Sequence, residues 1–249
     1  MGYIPLQKGV VYGPVKSKRL GRSLGVNLTP PGVKVCTFNC VYCFYGPTTT
    51  HRGEGFPEVD DVARALETAL KKHPRVDYIT FAGNGEPTLH PAFDAVVAAV
   101  RRVRDRHASG TPLALLSNAT TLRRDAVVDA LPFVDFAVLK LDAADERTFR
   151  RINRPVIPIT AAEIVAALRE LETPVIQSVM VCGSVDSHRG EALKAWTAAV
   201  ESIGPRLVQI YTLDGPIESL GIGPCDWTRV REVRRLLLES GVPAETYRD

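Results

Sequence analysis

Residues 76–118 read VDYITFAGNGEPTLHPAFDAVVAAVRRVRDRHASGTPLALLSN, and this stretch decides the fold class. VDYITFAG (76–83) is a short apolar run that stops at glycines, the pattern of a buried strand. PAFDAVVAAVRRVRDRH (91–107) follows with apolar residues at helical spacing and Pro91 near its first turn. PLALLSN (112–118) is a second buried strand. A strand, a helix and a strand in succession imply a parallel pair, because parallel neighbours need a crossover where antiparallel ones need only a turn.

The same alternation extends in both directions. SLGVNLT (23–29), DFAVLKLDA (135–143), PVIQSVMVCG (174–183) and RLVQIYTLD (206–214) read as further strands. Helices are predicted over 60–72, 122–131, 159–171, 190–203 and 226–240, the last closing at Gly241. Near-continuous apolar strands fit a sheet covered on both faces. A chain of 249 residues is short for eight units, so the expected fold is α/β, an open, partial TIM-like parallel barrel of about six βα units. One domain is expected over 1–249: a basic N-terminal extension (1–22), the barrel core (23–225), and a C-terminal helix and tail (226–249).

The 45% hydrophobic and 24% charged content is ordinary for a globular protein. No apolar run approaches the roughly 18–20 residues of a membrane span. The opening MGYIPLQKGVVYGP lacks the apolar core of a secretory signal. These features lead to the expectation of a cytoplasmic enzyme with no membrane partner. Residues 1–53 contain no Asp or Glu, yet they hold Lys8, Lys16, Lys18, Arg19, Arg22, Lys34 and Arg52. A basic lobe of this kind suits an anionic ligand or RNA, and equally a solvated face.

Of five cysteines, three fall within eight residues: Cys36-Thr37-Phe38-Asn39-Cys40-Val41-Tyr42-Cys43. Such clustering suggests metal or redox chemistry rather than a disulfide framework. A four-iron cubane held by three cysteines keeps one iron without a protein ligand. Three alternatives stay open: a zinc site closed by His51, a thiol redox pair of Cys40 and Cys43, and inert buried cysteines. Cys182 and Cys225 suit small buried hydrophobes or free thiols that donate a hydrogen atom.

Polar residues gather where the predicted strands end: Gly83, Asn84, Gly85 and Glu86, then Ser117 and Asn118, then Lys140 and Asp142, then Cys182 and Gly183, then Asp214. In parallel folds chemistry collects at that end. Glycine admits close approach of a ligand, and Glu86 can accept hydrogen bonds from an ammonium group. Helix capping is the competing role, for Asn118 or Thr121 and for Asp142 or Asp145.

The cysteine spacing, Tyr42 before the third cysteine and the Gly-Asn-Gly-Glu-Pro segment together resemble the radical S-adenosylmethionine superfamily. The resemblance runs from RLGRSLGVNLTP to YTLDGP, and it is closest to the Fe–S oxidoreductase branch that includes tRNA wyosine-synthesis enzymes. It implies a [4Fe–4S] cluster on Cys36, Cys40 and Cys43, with S-adenosylmethionine at the open iron. It further implies that residues 83–86 hold the methionine amino group and that Ser117, Asn118, Lys140 and Asp142 contact the cofactor. Lys140 would suit its carboxylate and Asp142 its hydroxyls. Tyr42 would touch the adenine, with Gln177, Met180 and Gly183 completing the pocket, although Met180 reads better as a core residue.

The activity implied is reductive cleavage of the cofactor, with an electron from a flavodoxin- or ferredoxin-like donor. The 5′-deoxyadenosyl radical then abstracts hydrogen from an unidentified substrate. Alternatives are an RNA- or tRNA-modifying enzyme, a glycyl-radical activase acting on a protein, and a non-catalytic basic metal-binding RNA module. The wyosine branch looks to carry a second cluster on cysteines upstream of the motif. No cysteine precedes Cys36 here, and that departure counts against wyosine ring formation. Lys16, Lys18, Arg19 and Arg22, and separately Arg150, Arg151 and Arg154, are candidate anion contacts.

Overall fold

The computed structural model describes residues 3–247. Met1 and Gly2 of the expected N-terminal extension, and Arg248 and Asp249 of the expected tail, lie outside the described residues. The chain opens with β1 (Val11–Ser17) and β2 (Gly21–Val26), then runs α1 (Val59–Lys72), β3 (Tyr78–Phe81), α2 (Phe93–His107), β4 (Leu113–Ser117) and α3 (Asp125–Val128). It continues through β5 (Phe136–Lys140), α4 (Glu146–Ile152), α5 (Ala161–Arg169), β6 (Val175–Met180), β7 (Cys182–Gly183) and α6 (Gly190–Ile203). The last elements are β8 (Leu207–Thr212), β9 (Ile222–Gly223), α7 (Trp227–Glu239) and β10 (Ala244–Tyr247).

Eight strands form one sheet in the order β1-β2-β3-β4-β5-β6-β8-β10. Every neighbouring pair from β2 onward is parallel; only β1 runs antiparallel to β2. This is the partial TIM-like barrel expected from the alternation of strands and helices. The sheet curls far enough for Arg19, in the β1–β2 turn, to bond Gln177 on β6.

The helices bury one stripe each, as their periodicity demands. α1 turns Val62, Leu66 and Leu70 inward, and α2 turns Val96, Val97 and Val100 inward. The largest fully buried side chain is Trp196 of α6. Its Nε1 donates to the Leu141 carbonyl at 2.8 Å and to Ser178 Oγ at 3.1 Å, so the indole is both packed and satisfied.

Besides the break of the expected 174–183 strand into β6 and β7, the structure departs from the sequence pattern in three places. Two further strands, β1 and β10, flank the six expected ones. The helix expected over 122–131 contracts to Asp125–Val128, followed by a 3-10 turn at Leu131–Phe133 that contains Pro132. Residues 122–124 stay in a turn, just after one in which Ser117 Oγ accepts from Ala119 N and Asn118 Oδ1 accepts from Thr120 N. Lastly, Asp145 rather than Asp142 caps α4, accepting from Thr148 N at 2.9 Å.

The cysteine-bearing loop sits against the ends of these strands. Val35 bridges both Thr50 and Gly85. Cys36 N donates to the Thr50 carbonyl at 3.1 Å, and Glu86 N donates to the Val35 carbonyl at 2.9 Å. Farther along, Val41 N donates to the Ile152 carbonyl at 2.9 Å. Phe38 packs edge-on against Phe149 of α4, with ring centroids 5.5 Å apart.

Two outcomes follow from this packing. A Cβ on residue 85 would lie 1.8 Å from the Val35 carbonyl oxygen, so Gly85→Ala must push the loop off β3. Iron bound per chain after anaerobic reconstitution should fall severalfold while far-ultraviolet circular dichroism stays unchanged; full iron loading would show that this contact does not seat the loop. Trp196→Ala leaves a cavity beneath α6 and should cost about 3–5 kcal/mol in urea unfolding; a loss under 1 kcal/mol would contradict the packing described.

Candidate active site

Three free thiols, Cys36, Cys40 and Cys43, border a cavity of about 270 Å³ inside the curl of the sheet. Each thiol faces its own nitrogen donor. Asn118 Nδ2 donates to Cys36 Sγ at 3.6 Å, Asn153 Nδ2 to Cys40 Sγ at 3.6 Å, and Lys34 Nζ to Cys43 Sγ at 3.1 Å. Donors aimed at sulfur favour its charged form over its neutral one. Burial acts the other way. It pushes Cys36 up to about 12, helped by nearby Glu86 and Cys40, and Cys40 up to about 11. Cys36 and Cys40 so placed hold their protons at neutral pH, and a metal bound there would have to displace them.

The donors come from three separate elements. Asn118 follows β4, and Asn153 is the C-cap of α4. Lys34 is only 5% exposed and is anchored by a second bond to the Gly46 carbonyl. Asn153 carried no sequence signal beyond its place in FRRINRP, and Lys34 registered only as one basic residue among seven in the acid-free stretch. Their roles depend on contacts between distant segments.

Most of the residues singled out from the sequence meet in this cavity. Its lining includes Tyr42, Gly83, Gly85, Glu86, Ser117, Asn118, Lys140 and Gln177 beside the three cysteines. Asn84 does not line it. Its amide clamps the N-terminal segment instead, accepting from Gln7 N at 2.6 Å and donating to the Gln7 carbonyl at 2.8 Å. Asp142 also lies outside the lining. It is buried and fully occupied, accepting from Val179 N at 2.9 Å, from Asn153 Nδ2 at 2.6 Å and from the Tyr42 hydroxyl. Met180 is a fully buried core residue, and Gly183 belongs to the small β7–β9 pair.

Glu86 is 2% exposed. Its Oε1 accepts from Thr88 N at 3.2 Å and Thr88 Oγ1 at 2.5 Å, while Oε2 accepts from Asn118 N at 2.6 Å. Burial still raises its pKa above the usual carboxylate value, with those bonds pulling the other way. Lys140 donates to the Tyr42 hydroxyl at 2.9 Å and lies 3.6 Å from Asp142. Burial alone would lower Lys140, but Asp142, Tyr211 and Cys40 together outweigh it and hold the ammonium well above its ordinary pKa. Burial and Asp142 together keep the Tyr42 phenol protonated.

The two remaining cysteines are not free. Cys182 and Cys225 form a disulfide with a Cα–Cα distance of 5.1 Å, which corrects the expectation of free thiols there. β7 and β9 pair across the chain and bring the two segments together. Neither cysteine lines the inner cavity. His51, the candidate fourth zinc ligand, lines neither that cavity nor the neighbouring cleft of about 890 Å³ on the outer side of the loop. Among the described residues no three His, Cys, Asp or Glu side chains converge as a site for a single metal ion. No helix among them is long and apolar enough to cross a membrane.

Three free thiols, a donor to each sulfur, and a cavity that reaches from them to the polar groups at the strand ends fit a cluster with one open iron and a cofactor beside it.

Residues 32–195 match the Radical SAM superfamily. A UPF0026 protein of Methanocaldococcus jannaschii is 32% identical over 185 residues, which cover 71% of this chain and 55% of the relative. The chain thus spans about half the length of that curated relative. Streptococcus suis SuiB bound to S-adenosylmethionine aligns with a TM-score of 0.66 at 14% identity, covering 90% of this chain and 50% of SuiB. TYW1 with a lysine–pyruvate adduct bound aligns with a TM-score of 0.62 at 14% identity, covering 88% of this chain and 73% of TYW1. At such identities the two structures share a fold with this one. The matched segment contains the whole three-cysteine loop and the ends of β3, β4, β5 and β6, and the chain belongs to the radical SAM superfamily.

Proposed function

We propose that this chain cleaves S-adenosylmethionine reductively at a [4Fe–4S] cluster on Cys36, Cys40 and Cys43 and takes a hydrogen atom from a substrate held in the barrel. The observation that carries the reading is the set of three free thiols on one cavity, each met by a separate nitrogen donor. When bound, the cluster and cofactor supply the electron and the carbon–sulfur cleavage that leads to hydrogen abstraction.

The chain's own residues supply positioning. Asn118, Asn153 and Lys34 aim donors at the sulfurs and stabilise negative charge there. Glu86, braced by Thr88 and Asn118, offers carboxylate lone pairs to the cofactor's ammonium group. Ser117 and Asn118 bring hydroxyl and amide groups to the same wall. Lys140 stays charged against Asp142 and presents a cation for a carboxylate. Tyr42 is held by Lys140 and Asp142, so its ring forms a fixed wall for the adenine and not a proton source. A one-electron donor of the flavodoxin or ferredoxin type approaches from the outer cleft beside Cys40, Cys43 and Phe44.

Anaerobically reconstituted protein given a one-electron reductant and S-adenosylmethionine should release 5′-deoxyadenosine, detected by liquid chromatography. Cys40→Ser should lower that release at least about a hundredfold, as expected when a group essential to the chemistry is removed. Protein that binds only zinc and releases none would end this reading and leave the non-catalytic binding module.

A further inference from the structure

Of the four basic residues near the start of the chain, Lys16, Lys18, Arg19 and Arg22, only Arg19 lines the inner cavity. Its backbone is fixed before its side chain enters. Arg19 N and Leu20 N both donate to Ser17 Oγ, at 3.2 and 3.1 Å, and Leu20 is 4% exposed. The side chain is oriented as well. Arg19 Nη1 donates to Gln177 Oε1, and Gln177 Nε2 donates to the Tyr211 hydroxyl at 2.6 Å. The guanidinium lies 4.7 Å from the centroid of the Tyr211 ring.

What Arg19 lacks is a direct ion pair, although Glu86 and Asp214 line the same cavity. Among the described residues no carboxylate pairs with Arg19, whereas Lys140, in the same cavity, sits 3.6 Å from Asp142. Arg19 is half-buried, so its guanidinium keeps part of its hydration, and its planar fork matches carboxylate and phosphate oxygens. Gln177 occupies one nitrogen and fixes the plane of the fork. The group sits on the β6–β8 side of the same cavity, next to Lys140.

We propose that Arg19, oriented by Gln177 and Tyr211, binds the carboxylate or phosphate group of a small anionic substrate inside the barrel. The word substrate rests on the function proposed above; the anion site rests on the geometry of Arg19 alone. The basic N-terminal run then has a specific consequence: the β1–β2 turn delivers one cation into the cavity, and its basic neighbours stay outside it.

The test is calorimetric titration of reconstituted, oxidised protein saturated with S-adenosylmethionine, so that the cofactor's own carboxylate site is filled. Malonate, inorganic phosphate and neutral malonamide serve as probes. At least one of the two anions should bind saturably, which identifies the preferred oxyanion, and malonamide should not bind. Arg19→Gln, which keeps a donor for Gln177, should weaken anion binding roughly tenfold or more, the usual effect of losing a charged hydrogen bond. Arg19→Lys should recover part of the loss, and Lys16→Gln should bind as the wild type does. Thermal melting of Arg19→Gln checks that it folds; if it melts early, severalfold weaker binding by Arg19→Lys is the supporting result and unchanged binding the opposing one. Failure of both anions to bind, equal binding by folded Arg19→Gln, or malonamide binding as tightly would overturn the proposal. Release of 5′-deoxyadenosine by the wild type is scored separately. Cleavage without anion binding removes only this site, and anion binding without cleavage removes only the enzymatic reading.

Discussion

The carbonyl of Val35 occupies the space that a Cβ on residue 85 would need, so a backbone without a side chain is the condition for seating the cysteine loop. Glu86 N closes that contact by donating to the same carbonyl at 2.9 Å. Cys36 is the next residue of the loop, and Glu86 is the next residue of the strand end. The Glu86 carboxylate then ties Thr88 and the backbone of Asn118 to itself. Asn118 in turn donates to Thr37 Oγ1 at 2.8 Å and to Cys36 Sγ. The ends of β3 and β4 and the first cysteine are thereby one connected body, and close packing leaves little freedom for any of them to move alone.

A second body forms around Asp142. It receives the amides of Val179 and Asn153 and the Tyr42 hydroxyl, with the Lys140 ammonium at 3.6 Å. Asn153 also reaches Cys40, so this network places the second cysteine as Glu86 places the first. A buried carboxylate is tolerated because every neighbour is a donor or a cation, and removing one partner would leave an uncompensated charge. Asp142 therefore acts by holding the cavity wall in place, while Lys140 and Tyr42 present that wall to a ligand.

The parallel sheet was legible because buried strands and amphipathic helices have distinct periods, and the cysteine triplet was legible because its spacing is local. Polar strand ends such as Ser117 and Lys140 could be placed at the mouth from position alone. The edge strands were not: β1 (VYGPVKS) contains Pro14 and alternates weakly, and β10 has only four residues. The division of labour within the site was also hidden. Nothing in Gly-Asn-Gly-Glu distinguishes Asn84, which clamps Gln7, from Glu86, which braces the cavity. Lys34, Asn153 and Arg19 gain their roles from partners 9, 113 and 158 residues away, and such pairings have no signature in a single sequence. The disulfide between Cys182 and Cys225 spans 43 residues and went unseen for the same reason.

The proposed chemistry requires three cysteines to hold the cluster and leave one iron open to the cofactor. Electron paramagnetic resonance of the reconstituted, reduced protein tests this directly. A [4Fe–4S]⁺ signal should appear in the wild type and in a Cys182→Ser, Cys225→Ser double variant, and adding S-adenosylmethionine should change its g-values in both. Loss of the cluster in the double variant, or a signal indifferent to the cofactor, would contradict the assignment of Cys36, Cys40 and Cys43 as its sole protein ligands.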